Sequence, residues 1–320
     1  MEVTQPKKVW MDGKLVDFAQ ARVHVLAHTL HYGVGVFEGI RAYSTPDGGG
    51  IFRLSEHVDR LIESARFYHM PVAYSRSEIE KAILETQVAN GILPSYIRPI
   101  LYRGEPGLGV KNLQGKVSLS IGVIAASKYL GDGSDAGVRA KISPFRKPHS
   151  LAVPSFAKAT GNYLNSYLAG VDAQKDGYDE AILLDKGGNI AEGSGENIFL
   201  VRDGTFYTPG LESDILLGVT RDSVIRIARD LGRPVVEKTI SVNELLSADE
   251  AFFSGTYAEI APVREVGRHQ IGDGKTGPIT REIAARYMRV VHGEDPNYGE
   301  WLTPVPAAGK LAPPVARTRR

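Results

Sequence analysis

The sequence predicts a two-domain protein of the α+β or α/β class, with a small N-terminal α/β domain and a larger β-rich domain with flanking helices. Three observations carry that expectation. The chain has 320 residues, more than one typical domain of about 100 to 200 residues holds. A polar, glycine-rich stretch near its middle, SKYLGDGSDAG at 127–137, suits a domain connection. Before it, short strands alternate with two helical periodicities; after it, apolar runs joined by glycine turns read as a meander of strands. The expected divisions are 1–126, a connecting loop at 127–137, 138–303, and a mobile tail at 304–320.

Taken in order, residues 8 to 18 alternate like a hairpin around Asp12-Gly13, a dipeptide that supplies positive backbone angles. Pro46-Asp47-Gly48-Gly49-Gly50 reads as a loop by composition, and Ile51 to Leu54 as a short strand. Ser55 then caps a helix with Val58, Leu61, Ile62 and Ala65 on one stripe and Arg60 off it. A second helix starts near Ser77, runs through Ile79, Ala82 and Ile83, and stops at Asn90-Gly91. Tyr96 to Tyr102 and Val117 to Ile124 read as strands, the second with Val117, Leu119, Ile121 and Val123 on one face.

Beyond the connecting loop, a strand at Val138 to Ile142 precedes a proline-punctuated stretch ending at Pro154. The next helix places Leu164, Tyr167, Leu168 and Val171 on its predicted buried stripe, with Gly177 as its stop. Strands follow at Ala181 to Asp185, from Ile190, at Asn197 to Val201 and at Thr205 to Thr208, turning at Lys186-Gly187-Gly188-Asn189 and Asp203-Gly204. A helix from Thr220 carries Val224, Ile227, Ala228 and Leu231 at helical spacing. The tail, PVPAAGKLAPPVARTRR, has no periodicity.

Composition narrows the function classes. With 38 basic against 37 acidic residues, no overall field draws the chain to nucleic acid or to an anionic membrane. No stretch approaches the ~20 apolar residues of a membrane span. The absence of cysteine removes thiolate nucleophiles and cysteine-ligated metals, and fits a reducing cytoplasm. Small-molecule chemistry is left.

Three segments can carry such chemistry. Lys158 lies among small and aromatic residues, with no charged neighbour in the seven positions downstream. A desolvated amine there would be neutral enough to attack an aldehyde and form a Schiff base, although most lysines are solvated surface groups. Glu192 lies between glycines at a strand end, where a buried carboxylate would need a cation, or where a hairpin glutamate would simply face water. Gly218 precedes the helix at Thr220, so its free amides suit an anion; the plainer reading is a turn glycine and a capping threonine. His24, His28 and His31 share a helical face, but Tyr32-Gly33 follows at once and no HExxH pattern exists, so no metal site is expected. Gly193-Ser194-Gly195 lacks the first glycine of a G-x-S-x-G nucleophile elbow.

Six ordered segments together resemble the branched-chain aminotransferases, fold-type IV pyridoxal-phosphate enzymes akin to D-amino acid aminotransferase. They are HTLHYGVGVFEGIR (28–41), YIRPILYRGEPGLGV (96–110), AKATGNYLNS (157–166), EGSGENIFLV (192–201), GVTRDSVI (218–225) and SGTYAEIAPV (254–263). The resemblance implies pyridoxal 5'-phosphate bound to Lys158, with Glu192 on its ring nitrogen and Tyr163 on its ring hydroxyl. Arg60, backbone groups at Gly218, Val219 and Thr220, and Thr256 would take the phosphate. Tyr32, Phe37, Tyr129 and Tyr163 would line the substrate pocket. Arg98, Tyr32 and Tyr129 would receive a distal carboxylate, and the turn at Thr256, Tyr257 and Ala258, helped by Tyr96, the α-carboxylate. Tyr257, and Ala125-Ala126-Ser127-Lys128 before Tyr129, depart from the family pattern and bear on side-chain preference.

The implied reaction is a ping-pong transfer of an amino group between branched-chain L-amino acids (leucine, isoleucine, valine) and 2-oxoglutarate, with amino acids and 2-oxo acids as partners. The alternatives on the same fold are transaminases of D-amino acids or (R)-amines, and an aminodeoxychorismate lyase. From another class, a non-enzymatic binding protein or a histidine metal site is the rival. The resemblance also implies a cytoplasmic homodimer or higher homo-oligomer, with the segment near Tyr32 or the loop around Tyr129 reaching a neighbouring subunit's site.

Overall fold

The structure, a computed structural model, describes residues 6–111, 115–126 and 137–306. The first elements along the chain are β1 (Lys8–Met11), β2 (Lys14–Asp17), α1 (His28–Tyr32), β3 (Gly35–Phe37), β4 (Ile40–Thr45) and β5 (Gly48–Phe52). Next come α2 (Leu54–Phe67), α3 (Arg76–Asn90), β6 (Ser95–Arg103) and β7 (Val117–Ala125). The later part opens with β8 (Val138–Arg146), α4 (Tyr163–Lys175), β9 (Glu180–Leu184), β10 (Ile190–Gly193), β11 (Asn197–Arg202), β12 (Thr205–Thr208) and α5 (Val219–Asp230). It closes with β13 (Val235–Glu237), α6 (Val242–Leu246), β14 (Glu250–Gly255), β15 (Glu259–Val266), β16 (His269–Gln270), α7 (Pro278–Val291) and β17 (Leu302–Pro304).

The strands form two sheets. One is antiparallel throughout, in the order β17-β5-β4-β6-β7-β1-β2, with β3 beside β6. The other is mixed, in the order β10-β9-β8-β15-β14-β11-β12-β13, with β16 beside β15; its parallel pairs are β8–β9, β8–β15 and β12–β13.

Strand periodicity explains how the first sheet serves the site. β6 and β7 pair from Ser95↔Ala125 to Arg103↔Val117. Ile97, Leu101, Leu119, Ile121 and Val123 turn one face into a core with Leu61 and Ala65 of α2 and Ile79 and Ile83 of α3. Alternate residues of β6, Tyr96 and Arg98, therefore face the other way, into the cavity described below. A second core joins the halves, packing Tyr43 and Phe52 against Phe199, Phe252, Tyr287 and Trp301.

The Asp12-Gly13 hairpin forms as expected, with φ of 45° and 95°. Elsewhere tertiary context corrects the local reading. Gly48 to Gly50 belong to β5 rather than a loop, because side chains cross the strand closely: a Cβ at Gly49 would lie 2.7 Å from Leu93 Cδ1. Ser55 caps nothing; α2 starts after Arg53, held at φ 50° with its amide donating to Trp301 O at 2.7 Å. Ser55 Oγ donates instead to Glu80. The cap of α3 is Ser75, in a reciprocal capping box with Glu78. β8 runs on to Arg146, past the expected end at Ile142.

The largest correction concerns α4. Leu164 and Tyr167 are each 65% exposed and Leu168 40%, so the predicted stripe is not buried within the chain. The buried face carries Ala169 and Ala173, small enough to lie flat on Ala181 and Leu183 of β9. At the other end, β17 pairs with β5 and the Val305 amide donates to Gly49 O at 2.9 Å, so the first residues of the expected tail are tied to the N-terminal sheet. Residues 127–136 of the expected connecting loop at 127–137, and residues 307–320, lie outside the described residues.

Candidate active site

Lys158 stands between β8 and α4, with its backbone fixed from three sides. Its amide donates to Ser64 Oγ of α2 at 3.1 Å, its carbonyl accepts from the Phe37 amide at 3.0 Å, and Asn162 Nδ2 ties the preceding turn through the carbonyls of Pro154 and Ala157. Gly33 and Gly161 let the N-terminal segment press on this loop; a Cβ at Gly33 would lie 2.9 Å from Gly161 Cα. The amine donates to Tyr163 Oη at 2.6 Å and lies 5.2 Å from the centre of the Phe37 ring. Burial, and then the Arg60 guanidinium, bring the amine down to about 8, against the pull of Glu38 and Tyr96. Burial, with the charge of Glu192 next, pushes the Tyr163 phenol up to about 12, so it stays a neutral partner.

Glu192, at the end of β10, is buried rather than facing water. Its Oε2 accepts from Asn197 Nδ2 and from the Leu216 amide, both at 3.0 Å, while Oε1 pairs with Lys147 Nζ. One carboxylate oxygen is thus fixed by the fold and the other holds a single cation.

Arg60, off the apolar stripe of α2, is engaged by Glu38 of the β3–β4 connection. Nε and Nη2 donate to the two Glu38 oxygens at 2.6 and 2.8 Å, and Nη1 donates to Leu217 O at 2.7 Å. His57 Nδ1 donates to Glu38 as well, at 2.8 Å. Burial would raise the Glu38 carboxyl, but Arg60 and His57 overcome it and hold it well below the usual range. Burial keeps His57 below its ordinary value despite Glu38. A guanidinium has five N–H donors; three serve these bonds, so two remain beside the cavity that Arg60 lines.

That cavity runs from Arg60 to Lys158 and Glu192, and the start of α5 forms its end wall. Gly218 is the residue before α5, and a Cβ there would meet Asn197 Oδ1 at 2.1 Å, so only glycine lets the turn close. Thr220 is the second helical residue, not the cap. The first-turn amides of a helix have no acceptor within it. Ser254 Oγ, on the same wall, is buried with no hydrogen-bond partner among the described residues. Spare guanidinium donors, open amides and an orphaned hydroxyl together form a donor set for a multiply charged anion.

A second cavity of about 280 Å³ adjoins the first across Lys158 and Tyr163. Phe37, Tyr96 and Arg98 form one side, Thr256 and Tyr257 the other. Arg98 Nη2 donates to Tyr96 Oη at 2.9 Å, and the guanidinium lies 4.6 Å over the Phe37 ring. Tyr257 meets Tyr96 edge to face at 4.9 Å. Ala258 belongs to the same turn but does not line either cavity. Neither does Tyr32, whose hydroxyl accepts from the Gly109 amide at 3.0 Å. Tyr129 lies outside the described residues.

The histidines of the metal alternative diverge: His28 Nε2 bonds Gly109 O, His31 Nε2 bonds Val25 O, and His24 Nδ1 accepts from the Leu26 amide. Among the described residues no group of three or more metal-ligating side chains could hold an ion. Glu38, His57, Lys147, Glu196 and Asn197 were not singled out in the sequence. A lone acid inside the apolar run Val34 to Ile40 was the one available signal, for Glu38.

Comparison with known proteins identifies the family. Residues 35–266 match the family described as amino-transferase class IV. The branched-chain-amino-acid aminotransferase of Pseudomonas aeruginosa is 43% identical over 296 residues, covering 92% of this chain and 96% of its own. The branched-chain aminotransferase of Thermoproteus uzoniensis, solved with norvaline, is 48% identical with a TM-score of 0.90, covering 94% of this chain and 99% of its own. The branched-chain amino acid aminotransferase of Thermobaculum terrenum, solved in its PLP-bound holo form, is 36% identical with a TM-score of 0.88, again covering 94% of this chain and 99% of its own. The chain belongs to the class IV aminotransferases, pyridoxal-phosphate enzymes of fold type IV, and within them to the branched-chain aminotransferases.

Proposed function

We propose that this enzyme moves the amino group between branched-chain L-amino acids and 2-oxoglutarate in a ping-pong cycle. One observation carries the reading: a single cavity brings together an amine, a carboxylate and an anion cradle, at Lys158, Glu192 and Arg60 with the start of α5. When bound, the cofactor supplies an aldehyde for the amine and an electron sink for the substrate's α-carbon. Lys158 would hold it through Nζ and, as the free amine, would carry the proton. Tyr163 keeps the amine oriented through the 2.6 Å bond. Glu192, whose Oε1 now pairs with Lys147, would partner the ring nitrogen, and Arg60, Gly218, Val219, Thr220 and Thr256 would hold the phosphate. The adjoining cavity, with Phe37, Tyr96, Arg98 and Tyr257, takes the substrate. Arg98 suits a distal carboxylate, and the Thr256–Ala258 amides an α-carboxylate.

The exposed stripe Leu164, Tyr167 and Leu168, with Leu151 90% exposed, supports a homodimer as part of the proposal. The segment near Tyr32, itself 37% exposed, then reaches a neighbouring subunit's site. No helix among the described residues is long and apolar enough to cross a membrane; the absence of cysteine supports a cytoplasmic enzyme.

A donor panel tests the reaction. With 2-oxoglutarate as acceptor, L-leucine, L-isoleucine and L-valine are expected to turn over at least about tenfold faster than D-alanine or (R)-phenylethylamine, a gap of about 1.4 kcal/mol. Faster turnover of either of the latter would transfer the enzyme to the D-amino acid or (R)-amine alternative. The lowered amine gives a second check. Only neutral Lys158 attacks the aldehyde, so the rate at which apoprotein takes up pyridoxal phosphate should climb up to a pH of about 8 and then level. A climb continuing to the ordinary lysine value would mean that the amine is not desolvated.

A further inference from the structure

Beside the substrate cavity lies a pair of acids that the proposed reaction does not use. Glu196 and Glu180 are 5% and 3% exposed, and their carboxyl groups hydrogen-bond to each other. Among the described residues neither has a cation within salt-bridge distance. Glu180 accepts from the Ala181 amide at 2.7 Å and the Ser194 amide at 3.3 Å; Glu196 accepts from the Gly195 amide at 3.1 Å. Two touching carboxyls cannot both ionise in a buried setting. Glu180 accepts from two backbone amides and Glu196 from one, so a shared proton is better held by Glu196.

The position of Glu196 gives this proton a consequence. Its side chain lies on bare backbone: a Cβ would come within 2.9 Å of Glu196 Oε2 at Gly193 and within 3.2 Å of Glu196 Cγ at Gly255. Gly255 leads directly into the Thr256–Ala258 turn, and Glu196 lines the substrate cavity with Thr256, Tyr257 and Lys158. An ionised Glu196 would put a negative charge beneath the amides that receive a carboxylate. We propose that Glu196, sharing one proton with Glu180, is a specificity-determining residue that keeps this wall uncharged, so that carboxylate-bearing substrates bind only while the pair holds its proton. The inference rests on the proposed reading of this cavity as the substrate's.

Burial, and next the Glu180 charge, push the Glu196 carboxyl well above the usual range; burial raises that of Glu180 as well. The other charged and titratable groups facing Glu196 are Glu192 from β10 and Lys158, with Tyr163 of α4, Tyr96 and Arg98 of β6, and Tyr257 of the turn around the cavity. Glu192 opposes ionisation of Glu196 and Lys158 favours it.

The test is calorimetric binding of 4-methylvalerate and of its neutral amide to the cofactor-loaded enzyme across a pH series, a readout independent of turnover. The Kd of the carboxylate is expected to stay flat and then rise about tenfold per pH unit once the pair loses its proton, while the amide shows no such break. E196Q, a fixed neutral mimic, should abolish the break. E180Q, which removes the neighbouring charge, should move it to lower pH. A carboxylate Kd with no break, an equal break for acid and amide, or a break unmoved in E196Q would overturn the assignment, the last giving it to Lys158 or Tyr163. Should E196Q fail to fold, E196A, which also removes the carboxyl, takes its place and must likewise abolish the break. Failure of the donor panel with a surviving break would sink the reaction and leave the acid pair standing.

Discussion

Lys158→Ala is expected to lower amino-group transfer by on the order of 10⁴ or more, because one substitution removes both the covalent anchor and the proton carrier. The loss should be chemical rather than structural. The contacts that fix this residue are made by its backbone, to Ser64 and Phe37, and they survive in alanine. Only the bond from Nζ to Tyr163 Oη disappears. Taking a lowered, buried amine out of the cavity removes a desolvation cost, so the melting temperature should hold or rise slightly. Turnover of L-leucine with 2-oxoglutarate, the visible absorbance of the cofactor-loaded protein, and a thermal melt measure the three effects. Residual activity above about 1% of wild type, with a normal melt, would mean that another group carries the chemistry.

The amine could be picked out in the sequence because its neighbours are small and apolar and its motif is one of six in order; the same holds for Glu192 between its glycines. What shifts Lys158 could not be read there. Arg60 lies far away along the chain, and reaches the site only because α2 packs beside β3. Lys147 offered no local signal, since an isolated lysine before a proline is by default a surface group. Periodicity has a similar limit in α4. Leu164, Tyr167 and Leu168 do share one side of a helix, but the pattern does not say what covers that side, and the chain itself buries Ala169 and Ala173. Composition failed at Gly48 to Gly50 for a related reason. Glycine there marks close approach by Leu93 and Leu302 rather than a loop, and both residues are remote in sequence. In the second sheet β9 to β12 were legible because their turns are local, whereas β13 to β16, which join it from farther along the chain, were not read.

Glu38→Gln is expected to destabilise the protein by about 3 to 5 kcal/mol, the usual cost of stranding one partner of a buried ion pair. Glu38 has no exposed surface, and its two oxygens accept both Arg60 bonds and the His57 bond. An amide keeps the shape but can accept on one atom only, so it leaves part of the guanidinium fork facing an N–H group in a site shielded from water. At this size the melting temperature should fall by roughly 5 to 15 °C. Cofactor affinity should fall with it, because Glu38 holds Arg60 at the anion end of the cavity. Acid supplies the discriminating control. A carboxyl lowered by its partners contributes stability that is fully present above its ordinary value of 4.5 and is lost as the pH falls through the lowered folded value. The gap between wild type and E38Q should therefore be widest near neutrality and close in strong acid. A gap of the same size at every pH would show that packing around residue 38, and not its charge, is what the substitution disturbs.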